Sequence, residues 1–190
     1  MAKFYTVEKE INGKKYTAQF NGISAALNAV DNCYVGDTDN ISIEKTAKYL
    51  LQNVIIEPKL KIEDFGADKI GEIVEKEING KLYKDKYNGM LFAIRAIDGS
   101  YIDGGSSTSV EKMAKMMLSD VIVEPEKLAP DDFDTMDEFN EVINFAREVM
   151  QGGETIKEFN EVIAFAREVM QGNFRGESKN EGTAKKKGAR

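Results

Sequence analysis

The sequence contains no histidine, one cysteine (Cys33) and only three prolines among 190 residues. Without histidine the chain lacks the commonest general base, the usual zinc and copper ligand, and every Ser–His or Cys–His catalytic pair. A single cysteine excludes an internal disulfide. No run of about 18 apolar residues occurs, which excludes a transmembrane helix. These absences argue against an enzyme and against a membrane-spanning protein.

The residues that are present have the composition of a globular protein, with 42% hydrophobic and 31% charged side chains. A chain of this length accommodates one or two domains and buries enough apolar surface to fold without disulfide or metal crosslinks. Its first residues include no apolar stretch typical of a signal peptide, so we expect a cytoplasmic protein.

Charge is unevenly distributed along the chain, whose formal net charge is −7. The net charge is −1 for residues 1–66, −4 for residues 67–133, −6 for residues 134–173 and +4 for residues 174–190. The acidic part would repel a phosphate backbone, so we expect no nucleic-acid partner for it. The last segment is basic and nearly devoid of apolar residues, which predicts a disordered tail. A nucleic-acid contact through this tail is the alternative.

Two internal repeats define the organisation of the chain. The first has a period of 67 residues, because the sequence VEKEINGK at residues 7–14 recurs unchanged at residues 74–81. The match continues without a gap as far as Pro125. We name residues 1–66 repeat 1 and residues 67–133 repeat 2, and we predict that both adopt one fold.

The second repeat has a period of 20 residues. Residues 135–152 and 155–172 differ at only three positions. This similarity indicates tandem duplication of one helix. It predicts that residues 134–173 form a tandem helix repeat, separate from repeats 1 and 2.

Each of the two longer repeats is predicted to open with a β-hairpin, because Asn12-Gly13 and Asn79-Gly80 are the pair that type I′ turns favour. Two helices follow in each copy. The second of them begins after Ser42 in repeat 1 and after Ser109 in repeat 2, since serine is a favoured N-cap residue. A short apolar segment that ends at proline completes each copy. The sequence therefore predicts an α+β protein with two repeated ββαα-type modules.

The C-terminal segment is predicted to be helical. Thr135 and Thr155 each precede a glutamate at the spacing of a capping box, and Gly152 and Gly172 supply the stops. Apolar residues recur at helical spacing in both copies, which predicts two amphipathic helices packed as an antiparallel hairpin. Two interpretations of these apolar stripes stay open: they form ordinary core, or one helix presents its stripe to a partner.

The sequence carries no motif that names a site of catalysis, cofactor binding or metal ligation. Walker loops and the patterns GxSxG, CxxC and HExxH are absent. Cys33 has no evident basic partner, so we interpret it as a small core residue rather than a nucleophile. We therefore assign no catalytic, cofactor-binding or metal-ligating residue.

The C-terminal half of the chain resembles a known family. The resemblance is carried by the segments VIVEP at 121–125, DDF at 131–133, EFNEVI at 158–163, FAREVMQG at 165–172 and NFR at 173–175. These segments are similar to the tail assembly chaperones of long-tailed bacteriophages and of prophages of Gram-positive bacteria. The resemblance covers residues 120–175 well and the two longer repeats only loosely.

The resemblance implies a non-enzymatic protein of the bacterial host cytoplasm that binds and shields the phage tape measure protein and helps to recruit tail tube subunits. Methionine side chains adapt to varied apolar surfaces, and negative charge keeps such a complex soluble. The residues expected to contact the partner are Phe139, Ile143, Phe159, Ile163, Val169 and Met170. The alternatives are a self-assembling phage tail structural protein, which would be a homo-oligomer, and a non-enzymatic interaction module.

Overall fold

The computed structural model of the chain describes residues 4–34, 40–102 and 107–173. Within these ranges the protein is a mixed α+β structure with two three-stranded sheets and six α-helices. The α+β class predicted from the sequence is confirmed. The predicted tail, residues 174–190, lies outside the described residues. No helix in the described ranges is both long enough and apolar enough to cross a membrane.

Repeat 1 forms one antiparallel sheet and two helices. Its elements are β1 (Tyr5–Ile11), β2 (Lys14–Phe20), α1 (Ile23–Asn32), α2 (Ile43–Tyr49), a π-helical turn (Leu50–Val54) and β3 (Ile55–Glu57). The strand order is β1-β2-β3. A single 3₁₀ turn, Ile62–Asp64, follows the last strand.

Repeat 2 begins with a 3₁₀ turn, Ala67–Lys69, and then has the same kinds of element in the same order as repeat 1. They are β4 (Ile73–Ile78), β5 (Lys81–Lys86), α3 (Met90–Gly99), α4 (Val110–Met116), a π-helical turn (Met117–Val121) and β6 (Ile122–Glu124). The strand order is β4-β5-β6. The register shifts between Thr17 and Ala18 in the first sheet and between Lys84 and Asp85 in the second, which are equivalent positions. A 3₁₀ turn, Pro130–Asp132, again follows.

The local signals found in the sequence produce these elements. Asn12 and Gly13 have φ values of 50° and 75°, and their equivalents in repeat 2 are nearly identical. These are the positive φ values that a type I′ turn requires, so both predicted hairpins are confirmed. Ser42 and Ser109 cap α2 and α4 as predicted, because each side-chain oxygen accepts the backbone N–H three residues later.

The described chain ends with two long helices, α5 (Met136–Gln151) and α6 (Glu154–Met170). Thr135 caps α5 as predicted, since its Oγ1 accepts the N–H of Glu138. The predicted cap at Thr155 is wrong, because α6 begins one residue earlier and Thr155 is buried in its first turn. The cause is the Gly152-Gly153 pair, since two residues with positive φ end α5 and let α6 begin at Glu154.

Helices α5 and α6 pack on different sheets. Helix α6 lies against β1, β2 and the π-helical turn of repeat 1, whereas α5 lies against β4, β5 and the π-helical turn of repeat 2. The predicted antiparallel hairpin of α5 and α6 is not confirmed. Each helix instead buries its apolar stripe on a sheet, which is the standard way for a single sheet face to leave water.

Two hydrophobic cores result from this arrangement. The first joins the sheet of repeat 1 to α6, with Tyr16 and Phe165 among its fully buried side chains. The second joins the sheet of repeat 2 to α5, with Tyr83 and Phe145 in the equivalent places. Residues 134–173 are therefore shared between the two cores and do not form a core of their own.

Candidate interaction surface

The six side chains expected to contact a partner lie in the protein's own cores. Ile143 is buried in the second core, and Phe139 packs at its edge, half-buried. The other four are buried in the first core, namely Phe159, Ile163, Val169 and Met170. Of the two interpretations of the stripes, the structure fits ordinary core. Five of the six are thus buried, while Phe139 keeps part of its surface in water, and Ile163 and Met170 also line a cavity beside α1 and α2.

A carboxylate on each C-terminal helix holds that helix to its sheet. Glu158 of α6 accepts hydrogen bonds from Lys14 Nζ at 2.9 Å and from Tyr16 Oη at 2.8 Å. Burial and this carboxylate together raise the pKa of Tyr16 above its ordinary value. Burial acts against ionisation of Glu158, but the two hydrogen bonds outweigh it and lower the pKa of its carboxyl.

The equivalent contact occurs on the second sheet. Glu138 of α5 accepts hydrogen bonds from Lys81 Nζ at 2.9 Å and from Tyr83 Oη at 3.1 Å. The hydrogen bond from Lys81 lowers the pKa of Glu138. The two longer repeats thus bind the two short repeats through matching residues, 67 positions apart on the sheets and 20 apart on the helices.

Repeat 2 packs on repeat 1 through one face of α3. Met90 and Ile94 of α3 are 1% and 2% exposed, and both belong to the first core rather than to the core of their own repeat. Helix α3 contacts α2 and the 3₁₀ turn Ile62–Asp64. An apolar helix face is therefore the main contact between the two repeats.

Polar groups on the same face of α3 fix its orientation. The carboxylate of Asp98 caps α2, accepting hydrogen bonds from Ser42 Oγ at 2.7 Å and from the N–H groups of Ile43 and Glu44 at 2.9 and 3.0 Å. Arg95 donates two hydrogen bonds to the carboxylate of Glu44. The bonds from Arg95, with help from Lys48, lower the pKa of Glu44 to about 2.

Removing this cap is expected to destabilise the protein. In Asp98→Ala, α2 loses three charge-assisted hydrogen bonds at its N-terminus, and we expect the free energy of unfolding to fall by about 1–3 kcal/mol. Urea denaturation monitored by circular dichroism measures the loss. Asp31→Ala, the equivalent change on α1, is the matched control, and equal losses in both variants would contradict the assigned role of Asp98.

Acid is expected to weaken the Arg95–Glu44 pair. Since the pKa of Glu44 is lowered in the folded state, from 4.5 to about 2, its contribution is fully present above pH 4.5 and is lost as the pH falls through 2. Arg95→Gln should therefore be less stable than the parent at pH 7, with a difference that shrinks below pH 4.5. Urea unfolding at pH 7 and at pH 3 measures this, and a difference independent of pH would contradict it.

The equivalent face of α1 is exposed. Ile23, Leu27 and Val30 occupy the positions that Met90, Ile94 and Ile97 hold on α3. Ile23 and Leu27 are 71% and 62% exposed, in contrast to their buried equivalents. We name Ile23, Leu27 and Val30 the α1 stripe. Within the described ranges it is an unpartnered copy of the face by which repeat 2 binds repeat 1.

On repeat 2, the surface equivalent to the one that α3 covers on repeat 1 is also exposed. Helix α4 of repeat 2 corresponds to α2, and its first residues are Val110 and Glu111. The side chains of these two residues are 76% and 72% exposed, whereas Glu44 is largely covered by α3. The turn Pro130–Asp132 is exposed as well, while Ile62 in the equivalent turn is buried. We name Ser109–Glu111 and Pro130–Asp132 the α4 face.

One buried ionisable group lies apart from these surfaces. Asp85 of β5 is fully buried, and neither carboxylate oxygen has a hydrogen-bond partner among the described residues. Its burial raises the pKa to about 7. The equivalent residue in repeat 1 is Ala18, which is equally buried. Repeat 2 thus places an acid where repeat 1 places a methyl group.

Two features of the described residues bear on ligand binding, namely a cavity and the placement of potential metal ligands. A largely apolar cavity of about 420 Å³ lies between α1, α2 and the end of α6, and Cys33 is one of its lining residues. Within residues 4–34, 40–102 and 107–173, no group of three or more histidine, cysteine, aspartate or glutamate residues could hold a metal ion. The cavity therefore presents a thiol and mainly apolar walls, with Thr46, Arg167 and Gln171 as polar lining residues.

The α1 stripe and the α4 face were not predicted from the sequence, although the 67-residue period shows which positions are equivalent. Ile23, Leu27 and Val30 repeat at helical spacing like a core stripe, so sequence alone does not separate them from core residues. Only the unequal burial of equivalent positions shows which copy has a partner. No protein-family model, curated protein or solved structure matches this chain, so its function is inferred from its own residues.

Proposed function

We propose that this protein is a non-enzymatic assembly factor of a bacteriophage tail. In the proposal it acts in the bacterial host cytoplasm as a tail assembly chaperone, binding the tape measure protein and helping to recruit tail tube subunits. The resemblance over residues 120–175 supports this partner. The net charge of −7 supports a soluble carrier of apolar segments.

The observation that carries an interaction role is an apolar helix face exposed on an acidic protein. Ile23 and Leu27 lie on one side of α1 with more than half of each side chain in water. An exposed apolar stripe at helical spacing favours protein–protein contact over a solvated surface. This interaction role does not require Phe159 and Ile163 as partner contacts, because both are core residues.

We also propose that repeats 1 and 2 are two copies of one structural module, each completed by one C-terminal helix. The equal order of their elements, the equal strand order and the equivalent bulges support this. The matching contacts of Glu158 and Glu138 support the pairing of each helix with one module.

Copurification tests the chaperone role. A tagged copy is expressed in an induced lysogen or together with its neighbouring genes, and copurifying proteins are identified by mass spectrometry. We expect a long, helix-rich tape measure protein to copurify and the tagged protein to be absent from finished particles. Its presence in purified particles, without such a partner, would overturn the chaperone role.

A self-assembling tail structural protein is the second candidate function. It is favoured by one observation, the equivalence of the exposed α1 stripe to the buried face of α3. A structural subunit would form stable homo-oligomers and remain in the particle. Particle composition therefore separates the two candidates, whether or not the purified protein associates with itself.

A further inference from the structure

We propose that copies of this chain associate head to tail, with α1 of one copy docking on the α4 face of the next. The contact repeats between chains the one that α3 makes with α2 within the chain. It concerns only contacts between copies of this chain, so it does not depend on the tape measure protein as a partner.

The docking helix, α1, is equivalent to α3, which already packs on repeat 1 within the chain. Helices α1 and α3 each have ten residues and each begin after a glycine with φ near 90°. On α3, Met90 and Ile94 are buried against repeat 1. On α1, Ile23 and Leu27 present apolar side chains of similar size at the same positions and remain exposed.

The receiving surface is equivalent to one that is already covered. Inside the chain, α3 covers the start of α2 and contacts the turn Ile62–Asp64, in which Ile62 is buried. The start of α4 and the turn Pro130–Asp132 have the same relation to the second sheet and are exposed. One molecule therefore carries one free copy of each half of the contact.

The residues that form the polar cap between α3 and α2 also have equivalents on α1 and α4. Asp98, which caps α2, has Asp31 as its equivalent on α1, and Asp31 is exposed. Ser42, whose hydroxyl donates to Asp98, has Ser109 as its equivalent. In the docked pair the carboxylate of Asp31 accepts hydrogen bonds from Ser109 Oγ and from the N–H groups of Val110 and Glu111 of the next copy.

One ion pair of the internal contact is missing between copies, and Ile62 of the receiving turn is replaced by Pro130. Arg95, which pairs with Glu44, is replaced on α1 by Asn28. Glu111, the equivalent of Glu44, pairs only with Lys115 of its own helix among the described residues. The contact between copies thus lacks one ion pair, which makes it weaker than the internal contact and reversible.

A contact between two different faces has a defined consequence for assembly. Each added copy brings a new free α1 stripe and a new free α4 face. Such a contact closes into a ring if the rotation between copies permits, and otherwise extends as a filament. Neither product has the two-fold symmetry of a dimer in which both copies use the same face.

Sedimentation velocity of the full chain tests the proposal. We expect the sedimentation coefficient to rise with concentration from about 5 to about 500 μM, the range in which a contact of modest area dissociates. Leu27→Asp removes the α1 stripe, and Val110→Asp places a carboxylate where Asp31 must bind. Both positions are exposed, so both variants should keep the parent's circular dichroism spectrum.

Mixing the two variants is the decisive step. Each should associate at least about tenfold more weakly than the parent, since a charge in a small apolar contact removes most of its affinity. A 1:1 mixture should form a dimer and nothing larger, because Leu27→Asp keeps its α4 face and Val110→Asp keeps its α1 stripe. Leu82→Lys, which removes an exposed apolar side chain elsewhere, should associate like the parent.

A gain-of-contact variant gives independent support. Asn28→Arg restores the missing partner for Glu111 and should tighten the association about two- to fivefold, the range expected of an exposed ion pair. The gain should disappear when Glu111→Gln is added.

Three outcomes would overturn the proposal. The first is a parent protein that stays monomeric at every concentration. The second is a loss of association in Leu27→Asp but not in Val110→Asp, which indicates pairing of α1 with itself or with another protein's helix. The third is a mixture of the two variants that stays monomeric although the parent associates.

Discussion

Asp85→Ala is expected to raise the free energy of unfolding at pH 8 by about 2–3 kcal/mol, because it removes a buried carboxylate that has no compensating hydrogen bond. The substitution is tolerated in an equivalent place, since Ala18 is fully buried at the same position of the first sheet. Ala18 pairs with Val7 as Asp85 pairs with Val74, so the strand register is the same.

The gain should depend on pH in a defined direction. Burial raises the folded-state pKa of Asp85 from 3.8 to about 7. Its protonated form therefore contributes stability that is fully present below pH 3.8 and is lost as the pH rises through 7. The advantage of Asp85→Ala should be largest at pH 8 and smallest near pH 4. Urea unfolding across this range measures it.

Asp85→Asn distinguishes the effect of a buried charge on stability from the effect of a buried polar group. It removes the ionisation but keeps a buried polar group, so it should abolish the pH dependence while recovering only part of the gain. An alanine variant no more stable than the parent at pH 8 would contradict the prediction and would indicate a partner for the carboxylate.

Phe159→Ala is expected to lower the free energy of unfolding by about 3–5 kcal/mol, the range for removing a fully buried phenylalanine. Phe159 packs edge-on against Phe65, with ring centroids 5.2 Å apart, in the first core. Guanidinium chloride denaturation measures the loss.

The 20-residue period supplies a matched control for this substitution. Phe139, the equivalent of Phe159, packs in the same way against Phe133 at 5.3 Å, but both rings are only half-buried. Phe139→Ala should therefore lose about half as much stability. If Phe159→Ala unfolded like the parent, the apolar stripe of α6 would be a free surface and the partner-binding interpretation would be restored.

Local structure followed from the sequence wherever one residue type decides the backbone. Asn12-Gly13 requires a tight hairpin, Ser42 and Ser109 cap helices, and the 3.6-residue spacing of apolar side chains gives α5 and α6. The repeated order of elements in repeats 1 and 2 was predicted for the same reason. These features depend on contacts within a few residues.

The packing partners of α5 and α6 could not be predicted because the two helices are almost identical. At one of the three differing positions, Met136 of α5 is exposed while Ile156 of α6 packs against the first core. Both residues are apolar, so the pattern alone does not distinguish them. The contact of Glu158 with Tyr16 does not distinguish them either, because Glu138 makes the equivalent contact with Tyr83 on the other sheet.

The α1 stripe could not be identified from the sequence for a related reason. The residues of the α1 stripe and those of the equivalent face on α3 have the same apolar character, yet Ile23 and Leu27 are exposed whereas Met90 and Ile94 are buried. The difference arises from packing between residues far apart in the sequence, since α3 lies against repeat 1 whereas no described element covers Ile23 and Leu27 of α1. A sequence pattern reports that a face is apolar but not whether a neighbour is present.

Because α5 packs on repeat 2 and α6 packs on repeat 1, the two hydrophobic cores are completed in a fixed order during synthesis. Repeat 2 needs α5, which follows it almost at once in the chain. Repeat 1 is synthesised first, but its core needs α6, the last helix described. Since domains fold as their residues emerge, the first half of the chain to leave the ribosome is the last to close its core. Until α6 arrives, the apolar face of the first sheet lacks the helix that covers it in the complete protein.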